Sequence, residues 1–130
     1  MYMKSKFSRF EIGMIMLRFG LAAVFLWFGF SQLLDSLKWV SLVPDYAVNL
    51  LHIPPAMIVM GNGIIEVVLG SLLAMGFWVR IVSFILALHL IPITLEMGFG
   101  ATGVRDFGLV CAMFALSLIY NFKSQEQTVI

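Results

Sequence analysis

The fold turns on GNGIIEVVLGSLLAMGFWVR, Gly61 to Arg80. This stretch is apolar enough to cross a membrane, yet it carries an acid, Glu66, near the middle of the crossing. On a helix Asn62, Gly63, Glu66 and Gly70 fall on one face. A central carboxylate in hydrocarbon costs about 2.5–3.5 kcal/mol even on insertion-based scales. It therefore needs a partner inside a bundle.

The surrounding composition agrees with that setting. Of 130 residues, 62% are hydrophobic and 12% charged, against roughly 45–50% and about 25% in soluble domains. Mean hydropathy is +1.03. One integral membrane domain over residues 1–130 is expected. A formal net charge of +1, with scattered basic residues, offers no footprint for nucleic acid. Cys111 is the single cysteine. It forms no internal disulfide or C-x-x-C pair, which excludes membrane thiol–disulfide oxidoreductases that use their own cysteine pairs. In an apolar run it reads as a small packing residue.

Outward from the central stretch, four crossings of about 20 residues are predicted, over 12–34, 53–76, 79–97 and 104–122. The fold class is therefore all-α, a transmembrane four-helix bundle. A basic arm, Met1 to Glu11, precedes the first helix. Arg18 and the length of that apolar run argue for a retained helix rather than a cleaved signal. Asp35 to His52 is the longest polar connection. Trp39, Tyr46 and an amphipathic segment from Tyr46 to His52 suit a loop or short helix lying along the membrane surface. Pro54 and Pro55 suit a helix start. Phe77 to Arg80 forms a tight turn, Pro92 is expected to kink the third crossing near His89, and Gly98 to Gly103 reads as a flexible loop. A polar tail, Lys123 to Ile130, closes the chain. Lys4, Lys6, Arg9, Arg80 and Lys123 fall on one side of the bundle, Lys38 and Arg105 on the other. The bias predicts cytoplasmic ends with the long loop outside.

Arg18, Ala22, Phe25, Gly29 and Gln32 form one inward stripe of the first helix. Arg18 lies about 9 Å and Glu66 about 15 Å inside the same boundary, by helical rise. These depths predict an Arg18–Glu66 ion pair between adjacent antiparallel helices, acting first as a clamp that fixes the fold. Towards the outer half lie Gln32, Asn62, His89, Glu96, Arg105 and Asp106, the candidate polar pocket. Arg105-Asp106 admits two readings. One is a helix start, with Asp106 in the first turn complementing the dipole. In the other, Asp106 reaches in to Gln32, Asn62 or His89.

His52 and His89 lie at unmatched depths, which disfavours a bis-histidine haem. No residues sit at metal-ligand spacing, so no metal is expected. Gly63 and Gly70, like Gly13 and Gly20, are seven apart on shared faces and suit close packing. The methionines read as lipid- and core-facing filler.

Taken together, these residues resemble the DoxX family. The resemblance is carried by Leu17-Arg18-x-Gly20, Phe25-Leu-Trp-Phe-Gly29 and Leu33. It continues through Gly63-x-x-Glu66-x-x-x-Gly70-x-Leu72-Leu73-x-x-Gly76-x-x-x-Arg80 and Arg105-Asp106-x-Gly108-Leu109. It implies a small four-helix membrane protein of a bacterial or archaeal cytoplasmic membrane. Relatives include DoxD, a subunit of an archaeal thiosulfate:quinone oxidoreductase. Mycobacterial members are proposed to assemble with redox enzymes, animal relatives act as receptor assembly chaperones, and MauE-like proteins are a more distant similarity. Two functions are thereby in view. One is an accessory or scaffold subunit of a redox-linked complex, without catalysis of its own, surrounded by lipid and partnered by redox or other membrane proteins or by copies of itself. The alternative is a quinone-linked oxidoreductase subunit, with quinone near His89, Glu66 and Asp106. A solute or proton pathway is a third reading and would require oligomerisation.

Overall fold

The computed structural model describes residues 8–129, with side chains through Tyr120 apart from Met97. Lys4, Lys6 and the side chain of Lys123, on which the charge bias partly rests, lie outside the described residues. Among the described residues five α-helices follow one another. They are α1 (Arg9–Leu34), α2 (Asp45–Leu51), α3 (Pro55–Met75), α4 (Val79–Met97) and α5 (Ala101–Val129), with a 3-10 turn at Ser36–Leu42 between α1 and α2. All but α2 are long and apolar enough to cross a membrane. The expected all-α bundle is present, and the chain is an integral membrane protein.

Local signals explain where the helices begin and end. The first helix starts three residues before the expected Ile12, because Ser8 and Glu11 form a capping box. Ser8 Oγ accepts from the Glu11 N–H at 3.1 Å, and Glu11 Oε1 accepts from the Ser8 N–H at 2.9 Å. That Ser-x-x-Glu spacing was legible in the chain. Pro54 and Pro55 open α3, where a missing N–H is harmless. Gly76, at φ 85°, closes it. The Phe77 N–H reaches Leu72 O and the Gly76 N–H reaches Leu73 O, the paired bonds of a Schellman end. The Phe77–Arg80 turn follows as expected, with Trp78 also left-handed at φ 50°. Helix α4 continues through Pro92.

Two expectations need correction at the last helix. It begins at Ala101 rather than Val104, so the loop shrinks to the turn around Gly98 and Gly100. Gly103 is buried against the Gly98 backbone, where any Cβ would collide. Its C-terminal end also carries on to Val129, through the segment expected to be a polar tail.

Helix α1 packs chiefly on α3, and α4 chiefly on α5. Consecutive helices run antiparallel, so Arg18 lies level with Leu73 and Gly29 level with Gly63. The inward stripe holds, with Ala22, Phe25, Gly29 and Gln32 buried and Arg18 partly so. Gly29 and Gly63 bring their backbones together: a Cβ on either would stand 2.9–3.0 Å from the other's carbonyl oxygen. Gly70 faces Leu26 closely, whereas Gly13 and Gly20 have nothing within 4 Å. The expectation of packing glycines therefore holds for α3 and fails for those two on α1.

In the second pair, Val82, Leu86 and Leu90 of α4 join Val110, Met113 and Leu116 of α5 in the core. Ser117 Oγ donates to Arg80 O at 3.1 Å and ties the two helices near their turn. Only 28–33% of each crossing is buried, so most of its apolar surface is left to lipid. Cys111 is exposed on α5 rather than packed inside.

Candidate functional site

A cavity of about 250 Å³ opens between the two helix pairs at the end of the bundle that carries the long loop. Its apolar walls include Phe25 and Phe28 of α1, Val59 of α3, Leu90 of α4 and Leu109 of α5. The connecting segment closes over it, contributing Trp39, Leu42 to Pro44, Tyr46 and Ala47. Helix α2 matches the amphipathic segment expected from Tyr46 onward. Trp39, expected in an interfacial belt, packs back on α1. Its indole N–H donates to Ser31 Oγ at 3.1 Å, and its ring meets Phe28 edge-on at 5.6 Å.

Polar side chains enter this apolar space in a short string. Asn62 Nδ2 donates to Gln32 Oε1 at 2.8 Å, and Gln32 Nε2 donates to Glu66 Oε1 at 3.4 Å. Behind the carboxylate, His89 Nε2 lies 3.5 Å from Glu66 Oε2. That nitrogen is buried and within ion-pairing reach, yet it makes no hydrogen bond. Gln32 and Glu66 are both more than 90% buried. The helical spacing of Asn62 and Glu66, and the end of the α1 stripe at Gln32, account for the meeting of these three.

The Arg18–Glu66 pair does not form. Arg18 Nη1 instead donates to Leu73 O at 2.9 Å and Ala74 O at 2.7 Å. The last carbonyls of α3 lack the usual i+4 partners, with Leu73 O taking only the Gly76 N–H of the cap. They carry the negative end of the dipole, so they offer a cation what a carboxylate offers. They also lie towards the membrane boundary, the direction in which a long basic side chain extends most cheaply.

At the rim, Asp106 is buried and Arg105 exposed, and they pair with each other: Arg105 Nη2 and Nε reach Asp106 Oδ1 at 3.1 and 3.2 Å. Because α5 starts early, Asp106 stands in its second turn, outside the first-turn position expected for a dipole partner. It lines the cavity without bonding Gln32, Asn62 or His89. Glu96 and Thr102 complete the rim.

Of the pocket residues expected from sequence, Gln32, Asn62, Glu96, Arg105 and Asp106 line one cavity, joined by Glu66 from the expected pair. His89 stands behind Glu66 rather than on the wall. The aromatic wall of Phe25, Phe28 and Trp39 was missed as part of the site. Its signal was the position of Phe25 on the inward stripe of α1.

Chemically, the string holds a carboxyl group in low dielectric beside an imidazole and two amides. Such a site can grip a polar head while its walls take an apolar body. Among the described residues no group of three His, Cys, Asp or Glu side chains is placed to hold a metal.

The family model described as DoxX matches residues 13–99, from the second turn of α1 to the turn after α4. Comparison with curated proteins and with solved structures gave no match. The matched region spans about two thirds of the chain and includes Gln32, Asn62, Glu66, His89 and Glu96. On that match, with the four-crossing helical fold, the protein belongs to the DoxX family.

Proposed function

We propose that this protein is an accessory membrane subunit that holds a lipophilic small molecule in the loop-side cavity, without catalysis of its own. The observation that carries the reading is the cavity itself, apolar on most of its wall and threaded by Asn62, Gln32 and Glu66. A fold-fixing polar cluster alone needs no such space, because unfilled volume beside packed side chains is destabilising. The size is slightly below the roughly 300–1,000 Å³ of drug-sized pockets. It suits a compact head inside, with any longer tail leaving between the helices into lipid. The redox-linked assemblies implied by the family resemblance are a natural setting for such a subunit.

Quinone is the ligand first suggested by that resemblance, and the lining fits it poorly. A quinone head presents only acceptors. Asn62 and Gln32 each spend one amide N–H in the string and keep one further N–H. The Trp39 indole N–H is taken by Ser31, and three carboxyl groups crowd the same wall with acceptors. The donors of Arg105 and Tyr46 sit at the exposed mouth.

The test is gentle extraction with native lipid, followed by native mass spectrometry of the intact chain. Wild type is expected to carry a bound small molecule that Ile58→Trp, which fills the cavity from the wall position next to Val59, loses while retaining cooperative thermal unfolding. An identical complement of small molecules on both proteins overturns the reading.

A further inference from the structure

Resting on the reading of this cavity as a ligand site, we propose that it takes a lipophilic organic cation. This is a protonated amine whose charge meets Glu66 while its apolar body lies against Phe25, Phe28 and Trp39. The charges in the lining are unbalanced. Three carboxyl groups, Glu66, Glu96 and Asp106, face the cavity against one guanidinium, that of Arg105. Arg105 is already committed to Asp106. Acceptors are in surplus where they are deepest.

Glu66 is the focus of that surplus. Its side chain is 5% exposed, and its two polar neighbours stand at 3.4 and 3.5 Å. Charge-assisted bonds to carboxylates run at about 2.7–2.9 Å. Among the described residues no group meets Glu66 at that length, although it lies in the cavity wall where a ligand can. A buried acceptor left short of partners costs on the order of 1–3 kcal/mol, more when charged. An incoming ammonium N–H removes that deficit, whereas a second acceptor does not.

The walls suit the same ligand. Aromatic faces attract cations within about 6 Å of the ring centroid, most strongly when water is excluded. One such contact already exists here, with the Arg105 guanidinium 5.8 Å from the Phe28 centroid. Phe25 is 2% exposed and continues that wall inward towards Glu66. An apolar wall is no better than lipid for the ligand's body, so selection falls to the carboxylate and the rings, and they favour the cation.

The experiment uses the full chain in nanodiscs of zwitterionic lipid, so that lipid charge does not recruit the probe. Three ligands are compared: a radiolabelled phenylalkyl dimethylamine, its carbon isostere with an isopropyl group replacing the dimethylamino group, and a short-chain benzoquinone. Saturable binding of the amine is expected, with the isostere weaker by about tenfold or more. Glu66→Gln is expected to remove most of that preference and leave isostere binding nearly unchanged. The wild-type comparison needs no variant and stands alone if Glu66→Gln does not fold. Should the isostere or the benzoquinone bind as tightly as the amine, the cation assignment is overturned and the ligand site survives. Absence of saturable binding by all three overturns both.

Discussion

Arg18 donates to two of the last carbonyls of α3, and together with the Gly76 and Phe77 N–H groups that contact explains how a helix can end beside an apolar bundle with its terminal C=O groups satisfied. Hydrogen bonds to charged groups contribute about 1.5–3 kcal/mol. Arg18→Ala is accordingly expected to destabilise the protein by an amount in that range, read by equilibrium unfolding in mixed micelles. Glu66 belongs to a separate network with Gln32 and His89. Arg18→Ala and Glu66→Ala should therefore add to within about 0.5 kcal/mol, whereas Gln32→Ala and Glu66→Ala should couple. Strong coupling between Arg18 and Glu66 would contradict the observed geometry. Both residues were recognisable in the sequence as intramembrane charges in need of partners. Which partner each takes was not, because a main-chain carbonyl leaves no trace in residue identity.

At the scale of helices, the crossing of α1 and α3 depends on two glycines, one on each. A methyl group on Gly29 or Gly63 would press on backbone, which cannot rotate aside. Gly29→Ala and Gly63→Ala are expected to lower stability by about 1–3 kcal/mol. Gly13→Ala and Gly20→Ala, facing open space, should be neutral or stabilising by up to about 1 kcal/mol, since alanine is the better helix former. Thermal unfolding of the four variants separates the two groups, and equal losses throughout would contradict this packing. The spacing of seven is the same in Gly13 and Gly20 as in Gly63 and Gly70. In a membrane protein the lipid face is as apolar as the core, so periodicity shows that a face exists without showing what covers it. The helix count and turns were legible because hydrophobic length and the Pro and Gly stops are local signals. The start of α5 at Ala101 was missed because glycines at Gly98, Gly100 and Gly103 read as loop, though Gly103 is inside the helix for the sake of close packing.

For the whole molecule, two helix pairs meet along a seam, and the connection between α1 and α3 closes over one end of it. That arrangement creates the cavity and makes the loop between α1 and α3 its cover. The polar membership of the site was largely readable, since ionisable and amide side chains within crossings are expensive and few. Its aromatic wall was not, because Phe and Trp are unremarkable in apolar helices and membrane interfaces until the fold places them around a space. The central claim is that this space is built for a ligand rather than left by imperfect packing. An experimental structure of the full chain, extracted with native lipid or soaked with the phenylalkyl dimethylamine, tests it most directly. Non-protein density is expected between Phe25, Phe28 and Leu109, with a polar atom at hydrogen-bond distance from the Glu66 carboxylate. A seam closed by side chains, with Glu66 turned away from it towards Arg18, would contradict it.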